Sequence, residues 1–254
     1  MVVSGLYDEL AKSYDAKFAA QEIEGQYLAV FSGRVYHAFD RSVHVTPLRY
    51  NPRLGLCWAL DFNIDPMSSV IFQVDPGNYL TPAHTNILDE ISLKGGHTQD
   101  ACSEFKRKLE EMMVGRFGRV NLCVYGDPAG NSRQHAGPSD WQAVWDEFRS
   151  YPGVNIIPCV ERDHPHVKDR VNAVNAQLMS STGASRVSVD ERCRELIADF
   201  EQVTWATDSN DRPIGEISKR DKRRSHMSDA IGYFFARDFG LDNIETGPRS
   251  TVIG

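Results

Sequence analysis

No stretch of the 254 residues approaches the ~18 consecutive apolar residues of a membrane helix. The first residues show no basic-then-apolar signal pattern, so export is not expected. No Cys-x-x-Cys pair occurs. The five cysteines, Cys57, Cys102, Cys123, Cys159 and Cys193, are odd in number and widely spaced, which argues against a disulfide framework and a zinc-thiolate site and fits a reducing cytoplasm. Positive charge is also scarce. The net charge is -7, so any nucleic-acid binding has to rest on local patches. There is no internal repeat and no low-complexity tract. What remains, 41% hydrophobic and 25% charged, is an ordinary globular composition, long enough for one large domain or one domain with an appendage.

The chain is organised around Cys57-Trp58-Ala59-Leu60-Asp61-Phe62-Asn63-Ile64-Asp65-Pro66. An apolar run leads to an acid, a turn follows, and the run resumes at Ser69–Val74. This predicts two paired strands, with Asp61 on the first. An unpaired buried carboxylate is costly, so Asp61 should be neutralised, paired or bound to a cation. The plain alternative is an Asp that forms a salt bridge or caps a turn. Around this stretch the pattern predicts an amphipathic helix over 5–23 and a hairpin made of Tyr27–Phe31 and Val35–Phe39. Further strands are expected near 87–93, 119–125 and 154–157. Helices are expected over 99–115 (with Thr98 as cap), 139–149, 167–180, 190–200 and 226–238, and a polar hairpin over 203–217. Three strands, a helix and then strand–helix alternation indicate an α/β mixed sheet flanked by helices.

Asp127, in Gly126-Asp127-Pro128-Ala129-Gly130, follows the fourth strand. If that strand lies beside the first, Asp61 and Asp127 reach the same sheet edge, where open α/β sheets bind ligands. Asp229 opens the last helix, three residues after His226 and on the same helix face. Three carboxylates from distant elements suit Mg²⁺ or Mn²⁺, which prefer oxygen ligands. Two such ions about 3.5–4 Å apart can activate water and stabilise a leaving oxygen. Taken singly, Asp127 also suits a turn, and Asp229 also suits the positive end of a helix dipole. Glu90 is a candidate fourth ligand or an edge-strand surface acid, and Asp65 reads as a turn residue or a support behind the ligands. The His164-Pro165-His166 run reads as a loop because no third ligand lies near it, and the four tryptophans read as core. The basic run Lys219-Arg220-Asp221-Lys222-Arg223-Arg224 ends just before His226. It is either a solvated surface or a phosphate grip carried by Lys222, Arg223 and Arg224.

Together, Leu60–Pro66, Tyr125–Gly130 and His226–Ala230 resemble motifs of the nuclease domain of the large terminase subunit of tailed bacteriophages. Gln21–Gly25, Leu88–Ile91 and Val167–Asn175 agree in order, so the resemblance spans roughly residues 20 to 240. It implies a ribonuclease H-like fold and a metal-dependent endonuclease that cuts concatemeric viral DNA during packaging with two Mg²⁺ or Mn²⁺ ions. By this likeness Asp61, Asp127 and Asp229 are the metal-binding acids, and His226 is an auxiliary acid–base or phosphate-contacting group. The implied partners are double-stranded DNA, the terminase small subunit, the portal and an ATPase domain. The implied setting is the host cytoplasm, with no membrane contact.

The family's ATPase motor carries a Gly-x-x-x-x-Gly-Lys-Ser/Thr loop, and none occurs here. The expected organisation is therefore an N-terminal helix and hairpin over 1–50, read as a linker from an absent ATPase domain, and a nuclease domain over 51–254. The alternatives are another ribonuclease H-like nuclease, such as a junction resolvase or hybrid nuclease, and a non-catalytic module that docks to portal or DNA.

Overall fold

The structure is a computed structural model that describes residues 33–62, 65–78, 81–114, 118–132, 137–210 and 213–240. The expected helix over 5–23 and the first arm of the expected hairpin lie outside the described residues. The chain's centre is a six-stranded sheet of β1 (Leu56–Asp61), β2 (Met67–Asp75), β3 (His84–Leu93), β4 (Val120–Gly126), β5 (Val154–Pro158) and β6 (Val187–Val189), in the order β5-β4-β1-β2-β3-β6. β2 is antiparallel to β1 and β3, whereas β4 is parallel to β1, and β5 to β4. An antiparallel three-strand meander extended by parallel strands on the far side of β1 is the ribonuclease H-like arrangement, as expected.

Every residue of β1 is buried, because helices cover both faces of the sheet. Alternation sorts its side chains. Leu56, Trp58 and Leu60 pack on one side with α2 (Thr98–Met112) and α3 (Asp140–Arg149). Cys57 and Ala59 face the other side, covered by α4 (Val167–Leu178), α5 (Arg194–Gln202) and α6 (His226–Phe239). Asp61 continues that second set by period two, which turns it towards α6. The helix is held there by fully buried Ile231, Phe234 and Phe235. Each contributes about 1.5–3 kcal/mol by leaving water.

Several local expectations need correction. Val35–Phe39 is a turn, not the second arm of a hairpin. Its apolar side chains enter the core instead, and the Asn175 side chain satisfies its backbone, accepting from Ala38 N at 3.2 Å and donating to Val35 O at 3.0 Å. A short α1 (Arg41–His44) follows. α2 starts at Thr98 but is preceded by His97, whose N–H donates to Asp100 Oδ2 at 2.8 Å. Thr98 is no cap, since its hydroxyl donates to Asp140 on α3. The helix expected from 190 begins only at Arg194. The Asp190 carboxylate accepts from the amides of Arg192 and Leu48 and holds a turn there. The polar hairpin is present as β7 (Trp205–Thr207) and β8 (Pro213–Ile217), anchored in the core by Trp205 and Ile217. All five cysteines are buried free thiols. Among the described residues no helix is long and apolar enough to cross a membrane.

Candidate active site

β1 and β4 run parallel, so their C-terminal ends meet at one edge. Leu60 pairs with Gly126, and the Asp127 amide donates to Leu60 O at 3.3 Å. Asp61 and Asp127 are thereby brought to neighbouring strand ends. Gly126 allows this approach, because its φ is +152° and a Cβ there would lie 2.3 Å from Leu60 O. Asp127 also has the turn role foreseen for it, its Oδ1 accepting from Ala129 N at 2.7 Å. The Trp141 indole donates to Asp127 O at 2.8 Å and fixes the turn from behind.

α6 supplies Asp229 and His226. The two amides at its start, Met227 N and Ser228 N, donate to the buried Asp199 carboxylate of α5 at 3.0 and 3.2 Å. Ser225 precedes the helix with φ +78°, a conformation L-residues adopt rarely, and its carbonyl accepts from Asp229 N at 2.7 Å. This turn aims His226 at the sheet, with Nδ1 3.3 Å from Asp61 Oδ2 and Nε2 2.8 Å from Lys222 O.

The three acids share one electrostatic neighbourhood. Burial pushes the Asp61 carboxyl above its usual range, and the charges of Asp229 and Asp127 push the same way, while the His226 hydrogen bond opposes them. The bond to Asp61 in turn raises His226 above the usual imidazole value. Each acid also has a nitrogen partner from another element. Asp61 has His226, Asp127 has His164 Nδ1 at 3.3 Å, and Asp229 has Arg170 Nη2 at 2.6 Å and Lys219 Nζ at 3.9 Å. Among the described residues no three His, Cys, Asp or Glu side chains stand together in an arrangement that could hold a metal ion. The carboxylates are satisfied by these nitrogen groups instead. Asp61, Asp127 and Asp229 are near enough for their charges to act on one another, and carboxylate oxygens are the donor type a hard divalent cation requires.

The pairing of His164, Arg170 and Lys219 with these acids was not expected from the sequence. His164, set aside as a loop residue, arrives because β5 is parallel to β4 and its following loop must emerge at the same edge. That loop, with Gly126, Pro128, His166, Tyr233 and Arg237, lines an open cleft of ≈ 640 Å³. Arg170 comes from α4, and Lys219, the first residue of the basic run, from the segment after β8. Glu90 is not free to act as a ligand. Its two oxygens accept from Glu195 N and Leu196 N at the start of α5, at 2.8 and 2.9 Å. Within the basic run, Lys222 and Arg223 are exposed, and Arg223 pairs locally with Asp221 at 2.9 Å. Arg224 is a correction. It is turned inward onto Asp199 at 3.3 Å and onto Glu195, so it holds α5 to the start of α6 rather than facing solvent.

No family model matches the chain. No curated protein matches it. Among solved structures, the large terminase of a thermophilic bacteriophage, in complex with ATP-gamma-S, superposes on 93% of this chain and 53% of its own, with 17% identity and a TM-score of 0.61. The complex of that terminase with ADP superposes on 92% and 52%, with 16% identity and a TM-score of 0.58. The nuclease domain of the large terminase of bacteriophage SPP1, with bound Mn, overlaps 77% of this chain and 96% of its own, at 16% identity and a TM-score of 0.45. The chain spans about half the length of the thermophilic phage terminase. The terminase likeness carried by the motifs is present in the fold.

Proposed function

We propose that this chain is a metal-dependent endonuclease of the large-terminase type, hydrolysing DNA phosphodiesters during viral genome packaging. What supports the reading is the parallel pairing that brings Asp61 and Asp127 to one sheet edge, with Asp229 on α6 close enough to act on the Asp61 charge, in a fold like that of a large terminase. In this reading the three carboxylates hold two Mg²⁺ or Mn²⁺ ions, which supply an activated water and offset charge on the leaving oxygen. His226, raised by Asp61 and placed beside it, holds a proton at Nδ1 and orients that carboxylate. Lys219, largely exposed beside Asp229, meets a phosphate oxygen. Lys222 and Arg223 extend this positive rim along the backbone. The partners proposed are double-stranded DNA and, from the likeness to a protein about twice as long, an ATPase domain, the small subunit and the portal.

The test is nicking of supercoiled plasmid with Mg²⁺, Mn²⁺ and EDTA in parallel. Wild type should cut only with metal. Asp61→Asn, Asp127→Asn and Asp229→Asn should each lose cutting while keeping a cooperative melt, since the shape is kept and one ligand charge is lost. Cutting at the wild-type rate by two of the three would reject the site. His226→Ala should lower turnover more than DNA affinity.

A further inference from the structure

Arg170 is 7% exposed and carries a charge into the interior. A buried cation is tolerated only when paired, and its partner is Asp229 Oδ1 at 2.6 Å. The guanidinium is held in a built slot. Gly232, one turn along α6 from Asp229, leaves room for the stem, since a Cβ there would lie 2.7 Å from Arg170 Cγ and 2.8 Å from Cδ. The Tyr233 ring stacks against it, its centroid 4.7 Å from Cζ. Lys219 contrasts in every respect, being 68% exposed and 3.9 Å from the other oxygen of Asp229.

The pair is also incomplete in an informative way. Arginine and a carboxylate usually meet through two parallel bonds that occupy both oxygens. Here one nitrogen bonds one oxygen, and the buried Nε has no hydrogen-bond partner among the described residues. Oδ1 is taken from inside the protein, and Oδ2 is left on the side of the exposed Lys219.

We propose that Arg170 is a positioning residue and built-in counter-ion. It fixes Asp229 through Oδ1, offsets its charge while no metal is bound, and reserves Oδ2 for the divalent cation. The inference rests on the divalent-cation reading above. Without Arg170, the crowded carboxylates lose their internal compensation, so an added cation relieves more repulsion and stabilises the fold further.

The experiment measures melting temperature with and without Mn²⁺ for wild type, Arg170→Gln and Arg170→Lys. Arg170→Gln should melt lower without metal, and its Mn²⁺-induced rise should be about twice that of wild type. Arg170→Lys keeps the charge and should show a rise close to wild type. If Arg170→Gln does not fold, Gly232→Ala closes the slot and should give the same enlarged rise. A rise in Arg170→Gln, or failing that in Gly232→Ala, no larger than that of wild type overturns the counter-ion role while leaving the metal reading intact. No rise in any protein, wild type included, removes the metal reading and this inference with it.

Discussion

Asp61 shows how one residue can obey and break a pattern together. It completes the alternation of β1, yet it brings a carboxylate to a buried position where its pKa is raised mainly by burial. Such a group is retained where a partner answers it, here His226. Gly126 sets the approach that makes the site possible. Any side chain there meets the Leu60 carbonyl and a backbone conformation that L-residues avoid. Gly126→Ala should therefore cost at least about 2 kcal/mol in denaturant unfolding and displace Asp127, with loss of nicking even where the protein still folds. Unchanged stability would mean that the β1–β4 approach is looser than its geometry indicates.

At the level of elements, acids from elsewhere in the chain hold the start of both α5 and α6. Glu90 of β3 accepts the first free amides of α5, and Asp199 of α5 accepts those of α6. The order of dependence runs from sheet to α5 to α6, and α6 carries Asp229 and His226. Both acids sit above their ordinary range, chiefly through burial, Glu90 at about 7 and Asp199 at about 6. A carboxyl raised in the folded state holds its proton there after the unfolded chain has released its own. Stability from this source is present below the ordinary pKa and is lost as pH rises through the raised one. Glu90 should thus make the melting temperature fall between about pH 4.5 and pH 7. Glu90→Gln should flatten that slope, and an equal slope in the variant would place the titration elsewhere.

Over the whole molecule the charge is -7, so DNA has to be met by a local positive surface. Arg224 is engaged inside, on Asp199 and Glu195, which leaves Lys222 and Arg223 facing outward. Each phosphate contact contributes about 0.9 to the log–log salt dependence on duplex DNA, so replacing Lys222 and Arg223 by Ala should lower the slope by roughly 2. The loss should be equal across DNA sequences, because backbone contacts carry no base information. Arg224→Ala should behave differently, lowering the melting temperature by leaving Asp199 buried without its cation. An unchanged slope in the Lys222/Arg223 variant would move the DNA-gripping surface to another face. Lys168, whose stem lies against Gly215 of β8, is the next candidate there, whereas Arg170 is buried and is not.

The sequence by itself determined the strands and helices that bury one continuous stripe or run, because hydrophobic period is a local property. It placed Asp61, Asp127 and Asp229 at strand and helix ends, where the motifs break the apolar pattern. It did not reveal β6, whose Val187–Val189 is three residues long and exists by pairing with β3. It misread Val35–Phe39 as a strand, since the partner that satisfies this segment, Asn175, is far away in the chain. Only the tertiary structure decided which charges face which. Arg170 and His164 meet the acids through helix packing and parallel strand order, while Glu90 and Arg224 are drawn to helix starts. A charged side chain reports its type in the sequence, but its partner is chosen by burial, which comes into being only when the elements pack.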